Sequence, residues 1–423
     1  MNLSLTAPSS LARSALHATA VALTAWPSCA PSPSAHEDAA PRGKAGASAR
    51  DASVETATDA ACPAPPTTRL RVRLGRDGRS TPVALPWPGG AGLLLRAVAL
   101  GMPDACLTIE ALHADDGTVL TSWEGDARPC RSCAQRFSTT AGYGLFPVPS
   151  DVDEIRAASL VVRFASRDCA TLLPEPDGDA SGEVEVTVSQ RPEAPSEGWA
   201  EVPLVLAASA GSGWLDGAGE LEVARLHDAL DEALAPLRLR VRRGPLCRVE
   251  GADARLVVEA GAAAPWRALM GRVRASCERP GLPLDRAVTV VLGGCLDVRA
   301  ATRATRGLDA WTQHLPGGLS PDGADGVVLR GATCTGAALV PDAPDPELSA
   351  RLAAHELGHF FGLSHAVEAD GTTDALDDTT DENAMHFEAL RGAARGWSPS
   401  QARVVRRHPL LVWPGGCRSP GAR

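Results

Sequence analysis

The sequence predicts two domains of different class: an all-β, sandwich-like domain, then a mixed α/β (α+β) domain with a twisted mixed sheet. Between residues 68 and 191, apolar and polar residues alternate with the period of a half-buried strand. From residue 199 onward, short strand patterns are instead separated by stretches with helical periodicity. Because a proline-containing segment, residues 192–198, lies between the two patterns, we predict domains at 68–191 and 199–417.

The first 67 residues predict export and a flexible tether. Residues 14–26 form a short apolar stretch after Arg13, as in a signal peptide. Small residues precede Cys29, so residues 1–29 are interpreted as a signal or bacterial lipoprotein-like leader with a possible lipid anchor at Cys29; a plain disordered leader is the alternative. Residues 30–67 bury too little apolar surface to fold, which predicts a disordered tether. We therefore expect a secreted or cell-surface bacterial protein.

The first domain is predicted from short strands and one clear hairpin. The strand patterns are residues 70–74, 107–112, 118–120, 160–164 and 184–188. Asp116-Gly117, between the second and third of these, is a turn dipeptide that favours a β-hairpin. A β-sandwich of about 120 residues fits this pattern, and both an accessory domain and a removable pro-segment remain open for it.

The second domain alternates strands and helices. Its predicted strands are residues 202–206, 237–241, 256–259, 287–292 and 326–330. Its predicted helices are residues 220–237, 266–277 and 347–361, with a last helix that Ser398 and Pro399 begin and Pro409 ends. The third helix is the best signalled, because Asp345 can cap it and Pro346 suits its first position.

The pattern HExxHxxGxxH begins at His355 and predicts the chemistry. His355 and His359 are four residues apart, so a helix places both imidazoles on one face, close enough to bind one metal ion. Gly362 can end that helix with a positive φ, and the chain can then return His365 as a third nitrogen ligand. Three imidazoles with an open fourth position form a catalytic zinc site rather than a structural one. Glu356 can then act as general base on a zinc-bound water.

These eleven residues resemble the signature of the metzincin zinc metallopeptidases. Asn383-Ala384-Met385, which ends twenty residues past His365, resembles that clan's Met-turn, a methionine in a tight turn beneath the zinc. A gap-filling core methionine is the alternative for Met385. Residues 374–379 and 397–401 are similar to pappalysin-like bacterial members. The resemblance implies a metzincin-like catalytic domain at 199–417 that binds zinc through the three histidines and hydrolyses peptide bonds.

One position departs from this resemblance. Several metzincin families carry a tyrosine two residues past the Met-turn methionine, where this chain has Phe387. The single tyrosine, Tyr143, is far upstream, so we expect no help from a tyrosine hydroxyl. His386 could substitute, although a surface histidine, or one that only supports the ligands, is the favoured interpretation.

An acidic loop follows the third histidine. It contains Asp370, Asp374, Asp377, Asp378, Asp381 and Glu382. Carboxylates at this density could bind Ca²⁺, and the candidate ligands are Asp374, Asp377, Asp378 and Asp381. A solvated acidic loop is the alternative, and both interpretations stay open.

Composition excludes several classes of partner. A net charge of −10 opposes binding to nucleic acid or to an anionic membrane. No P-loop, dinucleotide fingerprint or GxSxG elbow is present.

The cysteines predict disulfides. With Cys29 set aside, the other ten cysteines are compatible with five disulfides in an oxidising compartment. We interpret the CxxC of Cys130 and Cys133 as structural disulfide cysteines rather than a redox or zinc-ribbon site.

The sequence thus predicts an exported zinc metalloendopeptidase that acts on protein or peptide substrates. A sheet-edge strand near residues 326–332 and a loop at 386–397 are expected to line the substrate cleft. Two other classes stay open: a surface binding protein that keeps the zinc domain as a scaffold, and a zinc hydrolase of a non-peptide bond. The presence of Glu356 argues against the scaffold, because a scaffold needs ligands but no general base.

Overall fold

The structure is a computed structural model. It describes residues 67–86, 93–117, 119–122, 138–140, 142–148, 158–169, 180–190, 197–209, 211–216, 220–244, 246–250, 255–259, 264–278, 284, 287–300, 303–318, 325–335, 338–367, 371, 373–374, 376, 378–389 and 396–414. The expected leader, the tether before Thr67, and the CxxC pair lie outside the described residues.

The N-terminal part of the described chain is built of strands. These are β1 (Thr67–Leu74), β2 (Val83–Pro86), β3 (Leu93–Leu100), β4 (Cys106–Ala114), β5 (Val119–Ser122), β6 (Ser138–Thr140), β7 (Tyr143–Val148), β8 (Ser159–Arg167) and β9 (Gly182–Gln190). They form two antiparallel sheets, in the orders β1-β9-β3-β7-β6 and β2-β8-β4-β5. The strands predicted at 70–74, 160–164 and 184–188 and the hairpin of β4 and β5 are confirmed.

The two sheets share one apolar core. Strand alternation turns Leu95 and Phe146 of the five-stranded sheet toward Phe164 of the other sheet, within one buried cluster. Tyr143 belongs to the opposite face of β7, where its ring packs edge-on against His314 with the ring centroids 5.1 Å apart. That contact joins this part of the chain to the part that follows.

The C-terminal part alternates strands and helices. Its strands are β10 (Ala200–Ser209), β11 (Leu239–Arg242), β12 (Leu246–Val249), β13 (Arg255–Glu259), β14 (Val288–Leu292), β15 (Cys295–Ala300), β16 (Arg303–Leu308), β17 (Ala310–Thr312), β18 (Val327–Leu329), β19 (Ala332–Thr335) and β20 (Ala338–Pro341). Its α-helices are α1 (Gly213–Asp216), α2 (Glu220–Leu234), α3 (Ala264–Cys277), α4 (Pro346–Phe360) and α5 (Pro399–Val405). The predicted mixed α/β character is confirmed.

The helices predicted at 220–237 and after Ser398 both end earlier than predicted. The α-helical part of the helix predicted at 220–237 stops at Leu234, and a 3-10 turn, Ala235–Leu237, follows it. Pro236 lacks an N–H and cannot continue the α-helical bonding. The last helix ends at Val405, ahead of Pro409, and two further turns of backbone carry the chain onward.

The central sheet has the order β11-β10-β14-β18-β17, with β12 also paired to β10. Strands β11, β10, β14 and β18 are parallel, and β17 lies antiparallel at the edge. The expectation of an edge strand near residues 326–332 is therefore wrong, because β18 is an interior strand between β14 and β17. Strand β17 has three residues, too few for a hydrophobic period to reveal it in the sequence.

Helices cover both faces of this sheet. Leu204 and Leu206 of β10 belong to the apolar cluster that contains α2 and α4. Val205 and Ala207 belong to the cluster that contains α3. Because successive residues of one strand are buried on opposite faces, the sheet is the middle layer between the two sets of helices. The layer of α2 and α4 carries the candidate site.

Two disulfides are described. Cys106–Cys169 joins β4 to the segment after β8, and Cys247–Cys277 joins β12 to the end of α3. Cys295 is also disulfide-bonded. The predicted use of cysteines as disulfides is confirmed for these five residues.

None of the helices in the described ranges is both long and apolar enough to span a membrane.

Candidate metal centre

Local sequence signals define the helix that carries the site. Asp345 caps α4, with its side chain accepting from the Leu348 N–H at 2.9 Å, and Pro346 begins the helix, as predicted. Leu357 buries the inner face of α4 in the apolar core that it shares with α2. The chain leaves the helix through Gly362, whose φ of 103° strongly favours glycine. This turn reverses the chain toward the helix face that carries the histidines.

Three histidine rings converge beside this helix, and all three are buried. The rings of His355 and His359 have centroids 4.8 Å apart, and the turn returns His365 to 4.7 Å from His359 and 5.4 Å from His355. The Nε2 atoms of His359 and His365 are 3.2 Å apart. A tetrahedral zinc ion that binds two imidazoles at ~2.0–2.1 Å separates their nitrogens by about 3.3 Å. These two nitrogens therefore have the spacing of ligands to a single ion.

Backbone carbonyls orient two of the rings. His355 Nδ1 lies 2.8 Å from the carbonyl oxygen of Ala384, and His359 Nδ1 lies 2.8 Å from that of Leu363. A carbonyl oxygen can only accept, so each Nδ1 carries the proton and each Nε2 keeps its lone pair. Burial, and then the neighbouring His365 and His355, hold the pKa of His359 well below its usual value. The ring is therefore neutral, which is the state that binds a metal.

The donor set fits a zinc ion. One potential ligand atom from each of the three histidines lies within 4.8 Å of the others, and within the described ranges this is the only such group of three or more metal-binding side chains. Neutral nitrogen ligands suit zinc better than calcium or magnesium, which prefer oxygen. With three protein ligands, a fourth position is left for water or substrate.

Glu356 follows the first histidine and is buried. The hydroxyl Oγ1 of Thr312 lies 2.6 Å from its Oε2 and 3.0 Å from its main-chain oxygen. Burial raises the pKa of Glu356 to about 8, and the Thr312 hydrogen bond opposes part of that shift. A carboxylate with increased proton affinity is suited to take a proton from water near neutral pH. Sequence reasoning missed Thr312, because β17 is short and the contact spans 44 residues.

Met385 lies in a tight turn beneath α4. Its N–H donates to Asn383 Oδ1 at 2.8 Å, and its carbonyl accepts from the Ala366 N–H at 2.8 Å. The side chain is fully buried and fills the space beside Gly358, where an added Cβ would overlap the Met385 sulfur. The methionine therefore packs against the helix turn that separates the first two histidines.

A pair of buried amides holds this turn in place. Asn383 Nδ2 donates to Gln401 Oε1 at 2.9 Å, and Gln401 Nε2 donates back to Asn383 Oδ1 at 2.7 Å. Gln401 also completes the capping box of α5 with Ser398. Trp397 anchors the same segment by donating to the Ala233 carbonyl at 2.9 Å. The segment that sequence reasoning singled out at 397–401 thus braces the methionine turn.

His386 is buried, so its interpretation as a surface histidine is wrong. Its ring stacks on Phe387 with centroids 4.6 Å apart, and its Nδ1 accepts from the Glu388 N–H at 3.0 Å. The packed stack removes the ring from solvent. His386 does not belong to the group of three converging histidines, and Tyr143 lies against His314.

The described acidic residues of the loop after His365 make local contacts. Asp374 Oδ1 accepts from the hydroxyl of Thr379 at 2.6 Å, and Asp378 Oδ2 accepts from the Ser400 N–H at 2.9 Å. Asp381 is exposed, and Asp377 lies outside the described residues. Within the described ranges these carboxylates form no group that could hold a metal ion, so calcium gains no support.

The chain has structural neighbours among known proteins. No known family model matches the chain, and no curated protein matches it. Among solved structures, it is similar to mirolysin in complex with a compound, at a TM-score of 0.32 and 13% identity over 50% of this chain and 91% of that chain. It is also similar to metalloproteinase-II from Bacteroides fragilis, at a TM-score of 0.29 and 12% identity over 54% and 63% of the two chains.

A third similar structure is PliG, a periplasmic inhibitor of g-type lysozyme from Aeromonas hydrophila. Its TM-score is 0.16 at 12% identity, over 30% of this chain and 86% of that chain. Metalloproteinases are therefore among the solved structures that the chain resembles. TM-scores this low do not establish a common fold, and the proposed function rests on the residues of the site.

Proposed function

We propose that this protein is a zinc-dependent endopeptidase whose metal ligands are His355, His359 and His365. The observation that carries this proposal is the convergence of three buried imidazoles, two of them oriented by backbone carbonyls, with a buried carboxylate on the same helix. The three imidazoles would hold a zinc ion, which would supply Lewis-acid chemistry for the hydrolysis of a peptide bond. Glu356 takes the proton from the attacking water and later delivers it to the leaving amine.

The remaining residues hold this arrangement together. Leu363 and Ala384 fix the ring orientations of His359 and His355 through their carbonyl oxygens. Met385 packs beneath the helix and occupies the place of a Met-turn methionine. The pattern HExxHxxGxxH and this turn support a metzincin-like catalytic domain at residues 199–417, and we extend the proposal to a pappalysin-like bacterial member.

The proposed setting of the enzyme is outside the cytoplasm. Disulfides such as Cys106–Cys169 and Cys247–Cys277 persist in oxidising compartments. They support the interpretation of residues 1–29 as an export leader, and we extend the proposal to a lipid anchor at Cys29. Residues 68–191 then form an accessory domain or a pro-segment, and protein or peptide chains are the substrates.

Metal removal and return tests the proposal. The purified protein is treated with 1,10-phenanthroline, dialysed, and assayed on a mixture of unstructured peptides by mass spectrometry before and after addition of one equivalent of Zn²⁺. We expect cleavage to disappear with the metal and to return with zinc but not with Ca²⁺, because the site offers nitrogen ligands. Undiminished cleavage by the metal-free protein would overturn the proposal, as would the lack of any zinc-dependent cleavage.

A further inference from the structure

We infer that Thr312 is a positioning residue for the general base, holding the Glu356 carboxylate in the orientation that proton transfer requires. This inference rests on the proposed function and adds a residue to it that the HExxHxxGxxH pattern does not contain. Among the residues that the structure describes, Thr312 is the only one whose side chain hydrogen-bonds to that carboxylate. At 2.6 Å, the two oxygens lie at the short end of the range for O–H···O hydrogen bonds.

The hydroxyl is fixed by a rigid element outside the zinc helix. Thr312 ends β17, where its Cα pairs with that of Val327 in β18. Ala310 and Thr312 are buried while Trp311 between them is half-buried, so strand alternation turns Thr312 toward α4. A β-branched side chain on a strand has restricted χ1 freedom. The position of Oγ1 is therefore set by the sheet, independently of the helix that carries Glu356.

A glutamate needs such support. Its carboxylate is separated from the backbone by three rotatable bonds, whereas general-base catalysis requires an oxygen within hydrogen-bond reach of the proton. Thr312 contacts Oε2 and so restrains rotation of the carboxylate, which leaves its second oxygen, Oε1, to exchange the proton with water. The same hydroxyl lies 3.0 Å from the Glu356 main-chain oxygen, which brings it close to both ends of the residue.

The test compares substitutions at Thr312 with a matched control. Thr312→Val keeps the shape and removes the hydroxyl, and Thr312→Ser keeps the hydroxyl. Thr333→Val is the control, because Thr333 also donates to a carboxylate, that of Asp342, at 2.8 Å, but in the β19–β20 hairpin. Each purified variant is assayed for zinc content, thermal midpoint, kcat and KM on one peptide that the wild type cleaves.

For Thr312→Val we expect kcat to fall by about 10–100-fold, the range typical of removing a side chain that orients a group in a metal site. KM should change less than about two-fold and zinc should stay at one ion per chain, because no ligand or substrate contact is removed. Thr312→Ser should keep at least about a third of kcat, and Thr333→Val should leave kcat unchanged. A kcat for Thr312→Val equal to that of the wild type would overturn the inference alone.

The inference is also overturned if Thr312→Ser loses as much activity as Thr312→Val at full zinc occupancy, because packing rather than the hydroxyl would then be responsible. If Thr312→Val does not fold, Thr312→Ser alone tests the inference. An inactive, folded, zinc-loaded Thr312→Ser then overturns it, because the hydroxyl is still present. A wild-type protein without zinc-dependent cleavage would instead overturn the proposed function, and this inference with it.

Discussion

The side chain of Met385 lies directly against Gly358, the residue that precedes His359 in helix α4. A Cβ on that glycine would overlap the methionine sulfur and would also approach the Trp397 ring to 3.2 Å. The Met385 side chain thus packs directly against the backbone of the helix at Gly358. Glycine is normally unfavourable inside a helix, by ~1 kcal/mol relative to alanine. Its presence here is explained by the close approach of the turn.

Gly358→Ala should therefore destabilise the protein despite the better helix propensity of alanine. Overpacking of a filled core typically costs ~1–3 kcal/mol, which over most of that range exceeds the propensity gain of ~1 kcal/mol. The free energy of unfolding from urea titration measures this. Gly271→Ala in α3 is the matched control, since within the described ranges no atom outside the local helix backbone and the two adjacent residues lies within 4 Å of the added Cβ. The control should be stabilising by up to ~1 kcal/mol, and equal effects of the two substitutions would contradict the packing account.

His365→Ala should weaken zinc retention as well as activity, because it removes one of three protein ligands. This prediction rests on the 3.2 Å distance between the Nε2 atoms of His365 and His359, which suits two ligands of one ion. Metal analysis after dialysis against a weak chelator gives the zinc content per chain. His227→Ala is the matched control, since His227 is also buried but its Nε2 faces the Gly244 carbonyl. Unchanged zinc affinity in His365→Ala would show that His365 is not a ligand.

The metal-free protein should lose stability from about pH 5 to pH 8 through Glu356. Burial raises the pKa of Glu356 in the folded protein to about 8, above its value of 4.5 in an unfolded chain. The contribution of this group to stability is fully present below the unfolded pKa and is lost as pH rises through the folded one. Each unit of pKa difference corresponds to ~1.4 kcal/mol at most.

Glu356→Gln removes this titration and leaves the histidines in place, so it serves as the reference. Urea titrations of both chelator-treated proteins at pH 5, 6, 7 and 8 give their free energies of unfolding. We expect the wild-type value to fall relative to that of Glu356→Gln as pH increases. Parallel pH dependences would mean that the carboxyl group is solvated in the metal-free state.

The parts of the site that the sequence predicts are those made by neighbouring residues. His355 and His359 share a helix face, Gly362 permits the turn, and Asp345 with Pro346 starts the helix. Each of these signals acts over fewer than about ten residues, where helix geometry and capping decide the structure.

The parts that the sequence does not reveal depend on long-range contacts. Thr312 reaches Glu356 from a three-residue strand, and Gln401 reaches Asn383 across 18 residues. Strand β17, and not the strand near 326–332, forms the edge of the central sheet. The pattern of a single strand does not reveal its place in the sheet, because strand order is set by packing. The burial of His386 likewise depends on a distant segment, because its turn pairs with Val367, about twenty residues earlier in the chain.

The most direct test of the central claim is the activity of Glu356→Gln in its zinc-loaded form. Glutamine keeps the shape of the side chain and can still accept a hydrogen bond from the Thr312 hydroxyl, but it cannot take a proton from water. We predict one zinc ion per chain, an unchanged thermal midpoint of the zinc-loaded protein, and peptide cleavage reduced by at least ~10²-fold. Cleavage at the wild-type rate by a variant that holds one zinc ion per chain would contradict the account.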